Sequence, residues 1–293
     1  MSRVLVTGGT GFIGQPTIAA LIAAGHSVRV LDLKPRQGVL PAEVELLSGD
    51  VTDTAAVASA AEGCGGIVHL AGLMTVDCAR DPLLAARVNF IGSLNVFEAA
   101  KARRLPVAWL STAGVFGPDD AVNPRPMTIY GTTKLAVEGA ARAYAVDHGV
   151  PSLGLRPYIV YGPGISSGIA AGPSIAIAAS LNREPATIRF SGRVGFVHVS
   201  DVARLLAAAI DTPPSGAEVL TMAGDTQEMT AFAAELARQT GWTDIGIDGP
   251  PLRIPADLSS SPVPACLGAH PVTRLAEGIA QSLAALGSGQ HAK

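Results

Sequence analysis

The first half of the chain alternates two hydrophobic rhythms. Short β-branched runs stand at Val4–Val6, Val28–Leu31, Val44–Leu47, Ile67–Leu70 and Val107–Leu110. Between most of them lie Ala-rich stretches in which Leu, Ile and Val recur at three- and four-residue spacing. The runs have strand length, and the spaced stretches have one helical face to bury. Helices are expected at Ile13–Ala24, Thr54–Ala61, from about Pro82 to Arg104, and from about Thr128 to His148, the last leading into a strand at Ser152–Arg156. Strand and helix in this succession predict an α/β fold, a doubly wound parallel sheet covered by helices on both faces. After Tyr161-Gly-Pro-Gly164 the alternation is lost and Gly and Pro become frequent. Residues 1–164 are therefore expected to form the sheet domain, and 165–293 mainly a smaller C-terminal portion. In it, Pro250–Pro264 reads as an extended connector, Val272–Leu286 as a last helix and Gly287–Lys293 as a frayed tail.

The first strand runs into Thr7-Gly8-Gly-Thr-Gly11-Phe-Ile-Gly14, with glycines three apart before a helix. A tight turn and a close backbone approach to a pyrophosphate need residues without Cβ, and the following helix offers free N–H groups to phosphate. In a chain with 33 glycines the bare spacing is weak. It gains from its place on the first strand–helix junction, and from Asp32, 18 residues beyond Gly14 at the end of the second strand. A carboxylate there accepts hydrogen bonds from the adenosine ribose hydroxyls and repels a 2′-phosphate. Lys34 and Arg36 nearby would tolerate that phosphate, so NAD is favoured over NADP without NADP being excluded.

Tyr130-Gly-Thr-Thr-Lys134 sets a phenol and an ammonium four apart on one helix face. A free phenol titrates near about 10, and a cation beside it is expected to bring that value down toward working pH. Of the four tyrosines only Tyr130 has Lys at this spacing. The pair suits removal of an alcohol proton while the carbon gives up a hydride. Thr112, just past the fifth strand, has a hydroxyl suited to holding the substrate oxygen, or merely to capping a turn.

These residues resemble the extended short-chain dehydrogenase/reductase superfamily, in its NAD-dependent epimerase/dehydratase branch. The resemblance is specific over residues 3–164 and continues to about residue 210. The glycine loop matches the branch's form and nominates Gly8, Gly11, Phe12, Ile13 and Gly14 for the cofactor. Gly49-Asp50-Val51 is similar to the adenine segment, nominating Asp50 and Val51, and His69-Leu70-Ala71-Gly72 to the strand end beside the cofactor. Val88-Asn89, followed by Gly92, resembles the helix whose Asn lies near the nicotinamide half. Ser111-Thr112-Ala-Gly-Val115-Phe-Gly117 puts Thr112 in the catalytic hydroxyl position beside Tyr130 and Lys134. Leu155-Arg-Pro157-Tyr158 nominates Pro157 for the cofactor and Tyr158 for the substrate, with Arg193 as a further substrate contact. Phe196-Val-His198-Val-Ser-Asp201-Val resembles a later family signature, so a strand and helix at about 196–225 should return to the sheet.

The resemblance implies a Rossmann fold with a seven-stranded sheet, a tight and often retained NAD, and a homodimer built through the helices near 82–104 and 128–148. Three positions depart from the nucleotide-sugar enzymes of the branch. Ile159 stands where they commonly carry an Asn facing the diphosphate, Val194 and Gly195 where they carry an Arg, and Phe116 where they carry a Tyr. The first two departures point to a smaller substrate: a free sugar, sugar acid, polyol or similar compound.

Composition narrows the picture further. Hydrophobic residues make up 48% of the 293, but no uninterrupted apolar run reaches the roughly 18 residues of a membrane helix. The net charge of −3 gives no reason to approach nucleic acid or an anionic membrane. The start lacks a secretory pattern, and Cys64, Cys78 and Cys266 have neither disulfide nor zinc spacing, so a reduced, cytoplasmic protein with packing cysteines is expected. No metal is proposed. His69 and His198 read as satisfied core histidines, Asp201 as a helix cap or dipole partner, and Arg189 as part of a solvated face. The sum is an NAD-dependent oxidoreductase acting on a small-molecule substrate. An NAD-retaining epimerase or dehydratase and a non-catalytic NAD sensor are the alternatives.

Overall fold

A computed structural model describes residues 1–165 and 167–290. The N-terminal elements are β1 (Arg3–Thr7), α1 (Gly14–Ala23), β2 (Ser27–Asp32), β3 (Glu45–Ser48), α2 (Thr54–Ala60) and β4 (Cys64–His69). There follow α3 (Thr75–Arg80), α4 (Pro82–Ala85), a π-helical turn (Ala86–Ile91), α5 (Gly92–Arg103), β5 (Val107–Leu110), α6 (Ile129–His148) and β6 (Ser152–Pro157). The rest comprises β7 (Ile159–Tyr161), α7 (Gly172–Asn182), β8 (Ala186–Ile188), β9 (Arg193–His198), α8 (Val199–Asp211), β10 (Ala217–Met222), β11 (Asp225–Glu228), α9 (Met229–Thr240), β12 (Ile245–Ile247) and α10 (Leu275–Gln290).

Seven strands form one parallel sheet in the order β3-β2-β1-β4-β5-β6-β10. Burial of both faces explains why its strands read as nearly continuous apolar runs. In β1, Val4 and Val6 enter the core on the side of α1 and α8, while Leu5 enters the core on the side of α2, α5 and α6. Two smaller sheets, β11-β9-β7 and β12-β8, lie outside this arrangement. The chain passes from β6 to β7 within two residues, so the small sheet starts beside the carboxyl end of a central strand. Pro250–Pro264 contains no helix and runs along β10, with Ser261 N–H donating to Thr221 O at 2.9 Å and Thr221 N–H to Ser261 Oγ at 2.9 Å.

Two helices depart from the sequence expectation. The stretch from Pro82 to Arg104 is not a uniform α-helix. Asp81 caps α4 through Leu84 N–H at 2.9 Å, and the π turn then inserts around Asn89. The Asn89 side chain explains the insertion: its Oδ1 accepts from Leu73 N–H at 2.7 Å and its Nδ2 donates to Leu73 O at 3.0 Å. The last helix begins at Leu275 rather than Val272, because Thr273 and the Leu275 amide are held by the Asp201 and Asp225 carboxylates. It continues to Gln290 through residues expected to be tail. Of that tail, 291–293 lie outside the described residues.

Candidate functional site

The glycine loop sits where β1 meets α1. A Cβ on Gly14 would lie 2.3 Å from Gly9 O, so only glycine lets the helix close on the loop. Gly8 N–H donates to Leu31 O at 2.9 Å and Gly11 N–H to Gly8 O at 3.1 Å, folding the loop over the end of β2. No side chain caps α1 at Ile13, which suits the start of the helix, around Phe12, Ile13 and Gly14, to a phosphate's charge. Asp32 lies at the end of β2. Its Oδ2 accepts from Thr10 N–H at 3.2 Å and from Thr10 Oγ1 at 2.6 Å, and its Oδ1 from Lys34 N–H at 3.3 Å. Arg36 donates through Nε and Nη2 to Thr10 O. Thr10, which is not among the residues nominated from the sequence, thus joins the loop to the acidic position. These residues fit a dinucleotide.

The other nominated positions line the same sheet edge. Asp50 Oδ1 accepts from Thr52 N–H at 2.8 Å, and Val51 is buried, its carbonyl accepting from Asn95 Nδ2 at 2.9 Å. Leu70 N–H donates to Thr7 O at 3.0 Å and Ala71 N–H to Thr7 Oγ1 at 3.3 Å, bringing the β4 end against the loop. A Cβ on Gly72 would be 3.1 Å from Asn89 Oδ1 and 3.7 Å from Lys134 Nζ. Asn89 itself is fully buried and bonds both backbone groups of Leu73, with Cys78 and Thr133 as further partners. Pro157 closes β6 opposite Met222.

Tyr130 occupies the first turn of α6, which Thr128 caps through Gly131 N–H at 3.0 Å. A Cβ on Gly131 would meet Gly114 O at 2.3 Å, and this close approach brings the helix start onto the turn after Thr112. The Thr112 hydroxyl lies within reach of the Tyr130 phenol, and its Oγ1 accepts from Gly114 N–H at 3.0 Å, so the turn-capping alternative is realised. Lys134 Nζ donates to Leu110 O at 2.8 Å and lies 5.9 Å from the centre of the Tyr130 ring. Thr112, Tyr130 and Lys134 therefore converge at the carboxyl end of β5.

The electrostatics differ from the expectation in one respect. Burial pushes the Tyr130 phenol well above its usual range, and the Thr112 hydrogen bond opposes this only in part. The neighbouring ammonium does not bring the phenol down: loss of water dominates, and the nearby Cys78 adds to the rise. Lys134 is buried, and the same loss of water brings it down to about 8. Cys78 lies close enough to bear on both groups, its thiol raised by burial and its Sγ accepting from Asn89 Nδ2 at 3.4 Å.

The remaining candidates fall into place around this centre. His69 bonds Thr7 Oγ1 at 2.7 Å and Ser93 Oγ at 2.9 Å, and burial lowers it to about 3. His198 is likewise buried, between Ser200 Oγ and Ser282 Oγ. Asp201 does not cap α8, a place taken by His198 through Ser200 N–H; it lies in the first turn and holds Arg204 and both donors of Thr273. Arg189 is an exposed ion-pair partner of Asp248 at 2.9 Å. Tyr158 is only 7% exposed and gives its hydroxyl to Ile254 O at 3.1 Å, while Arg193 is exposed at the start of β9, opposite Glu228. Cys78 is buried as expected of a packing residue, but Cys64 is half-buried and Cys266 exposed. At the three departures, Ile159 and Val194 are buried apolar residues, and the Phe116 ring lies under the Arg156 guanidinium at 5.1 Å.

Residues 4–222 match the model of the NAD dependent epimerase/dehydratase family. The chain is 30% identical over 170 residues to the UDP-glucose 4-epimerase of Corynebacterium glutamicum, covering 55% of this chain and 52% of that protein, about half its length. It is 32% identical over 178 residues to the L-arabinose 1-dehydrogenase (NAD(P)(+)) of Haloferax volcanii, covering 53% of this chain and 66% of that one. Among solved structures, the complex of the Thermus thermophilus UDP-glucose 4-epimerase with NAD superimposes with a TM-score of 0.83 at 26% identity, over 97% of this chain and 99% of that one. A Rossmann-type parallel sheet, a glycine loop fitted to a dinucleotide, and a family match over most of the chain lead to one conclusion: the protein is an NAD-dependent enzyme of the NAD-dependent epimerase/dehydratase family.

Proposed function

We propose that the protein is an oxidoreductase that moves a hydride between NAD and a hydroxyl or carbonyl carbon of a small sugar, sugar acid, polyol or similar compound. The convergence of Thr112, Tyr130 and Lys134 carries this reading. NAD, when bound, supplies the hydride acceptor or donor. The glycine loop and the α1 amides hold its pyrophosphate, Asp32 the adenosine ribose, and Asp50 and Val51 the adenine side. Thr112 orients the reacting oxygen. Tyr130 gives that oxygen its proton in the reducing direction and takes the proton back in the oxidising one. The raised phenol holds its proton until a partner is in place, and Lys134, charged below about 8, then favours the phenolate.

Buried apolar side chains at Ile159 and Val194, in place of the groups expected to face a diphosphate, support a small substrate over a nucleotide sugar. In this reading residues 165–293 serve mainly as the substrate portion. In this reading the enzyme works in the cytoplasm. It works as a homodimer joined through α4–α5 and α6, where Leu84, Ile91 and Val146 are exposed. The test is a panel of aldoses, uronates and polyols with added NAD, read by NADH absorbance. One member should yield stoichiometric NADH, and Tyr130→Phe should lower kcat by about 10²–10⁴-fold while NAD affinity holds. Silence across the panel, or an active Tyr130→Phe protein, overturns the reading.

A second reading is an epimerase in which the hydride is taken and returned. The similarity to the Corynebacterium UDP-glucose 4-epimerase and to the Thermus enzyme in complex with NAD favours it. Its mark is NAD retained through purification and a product with no net redox change.

A further inference from the structure

Three successive residues at the carboxyl end of β5 are each set against α6. Leu110 accepts from Lys134 Nζ at 2.8 Å, Ser111 donates its hydroxyl to Glu138 Oε1 at 2.6 Å, and Thr112 lies within reach of the Tyr130 phenol. Tyr130, Lys134 and Glu138 follow one another at four-residue intervals and so share one face of the helix. Glu138 is fully buried, and besides Ser111 its carboxylate accepts Arg156 Nε at 2.7 Å and Nη2 at 2.5 Å. Among the described residues it is the one carboxylate within ion-pair distance of Arg156. The guanidinium is pinned from its other side by the Phe116 ring, and Arg156 belongs to β6, next to Pro157. The network thus ties α6, β5 and β6 together at the level of the reacting groups.

A buried pair of this kind gains little net stability over well-packed apolar side chains, because removing both charges from water offsets their attraction. What the two-pronged bond does supply is fixed geometry. We propose that Glu138, held by Arg156, is a positioning residue that sets Ser111 and Thr112 against α6, so that the Thr112 hydroxyl and the Tyr130 phenol meet. This rests on the reading of Thr112 and Tyr130 as the reacting pair. Neither Glu138 nor Arg156 touches the substrate in this arrangement. Their effect passes through Ser111 to the next residue along the strand.

The experiment compares the full-length native protein, E138Q, R156K and S111A, all with NAD added. The first readout is the Thr112 γ-methyl NMR resonance, assigned by its disappearance in T112S. The second is kcat against the KM for NAD on whichever compound of the panel is turned over. E138Q should shift or double the Thr112 resonance and lower kcat by about 30- to 100-fold, as a displacement near 1 Å does, with the KM for NAD within about threefold of native. R156K, which keeps the charge without the fork, should fall between. S111A leaves the ion pair whole and should move kcat in the same direction by about 3- to 10-fold. If E138Q does not fold, S111A decides. An unmoved Thr112 resonance, or a kcat that falls only in proportion to the folded fraction, overturns the proposal. Tyr130→Phe separates the two ideas: an active Y130F protein sinks the functional reading, whereas an inactive Y130F beside a native-like E138Q sinks the positioning role alone. The methyl resonance reports even where no compound of the panel reacts.

Discussion

Lys134 is where burial, charge and hydrogen bonding meet most tightly. Its ammonium is fixed to a backbone carbonyl and yet lowered to about 8, from an unfolded value near about 10.5. Between those values the unfolded chain holds a proton that the folded one has released, so folding gains as pH rises through the window. Below about 8 both states carry the charge, and the full cost of burying it is present. Urea unfolding from pH 7.5 to 10.5 should therefore show native stability rising relative to Lys134→Met, by on the order of 3 kcal/mol at most. A flat difference would mean that the ammonium is not buried as described. The spacing of Tyr130 and Lys134 was legible because both residues lie on one helix. The sign of the phenol's displacement was not, since a neighbouring charge is visible in a sequence and the exclusion of water is not.

Among the elements, the π turn Ala86–Ile91 has the most direct bearing on the site. It turns Asn89 inward, where one side chain satisfies both the N–H and the C=O of Leu73 just beyond Gly72. Asn89→Ala leaves the Leu73 N–H without its partner and its C=O with only the Cys78 thiol, and should cost about 1–3 kcal/mol, with faster hydrogen exchange at the Leu73 amide than at amides of β4. Protection of Leu73 equal to native would show that the loop needs no such brace. The long strands and helices were readable because period-two and period-3.6 patterns recur down the first half of the chain. The π turn was not, because it depends on a pairing sixteen residues away. The three- and four-residue strands β8, β11 and β12 are too short to carry a period. The bonding of Glu138 to Arg156 and Ser111 was not legible for a related reason: the three come from separate parts of the chain that only the folded sheet brings together.

For the whole molecule, the exposed apolar residues of α4–α5 and α6 call for a partner, and the mass in solution should be about twice the 29.7 kDa of one chain by light scattering. A monomer at micromolar concentration would leave that face unexplained. The order of strands carries a different implication. The sheet grows outward from β1, and β6, which bears Arg156, is an open edge until β10 pairs with it along Ser152–Pro157. The edge of β10 is in turn sheltered by the connector through Ser260 and Ser261. A chain emerging from the ribosome therefore displays an unpaired, largely apolar strand over a long stretch of synthesis, the condition under which strands seek the wrong neighbours. Protection against misassembly and readiness for chemistry arrive together, in the same late docking step.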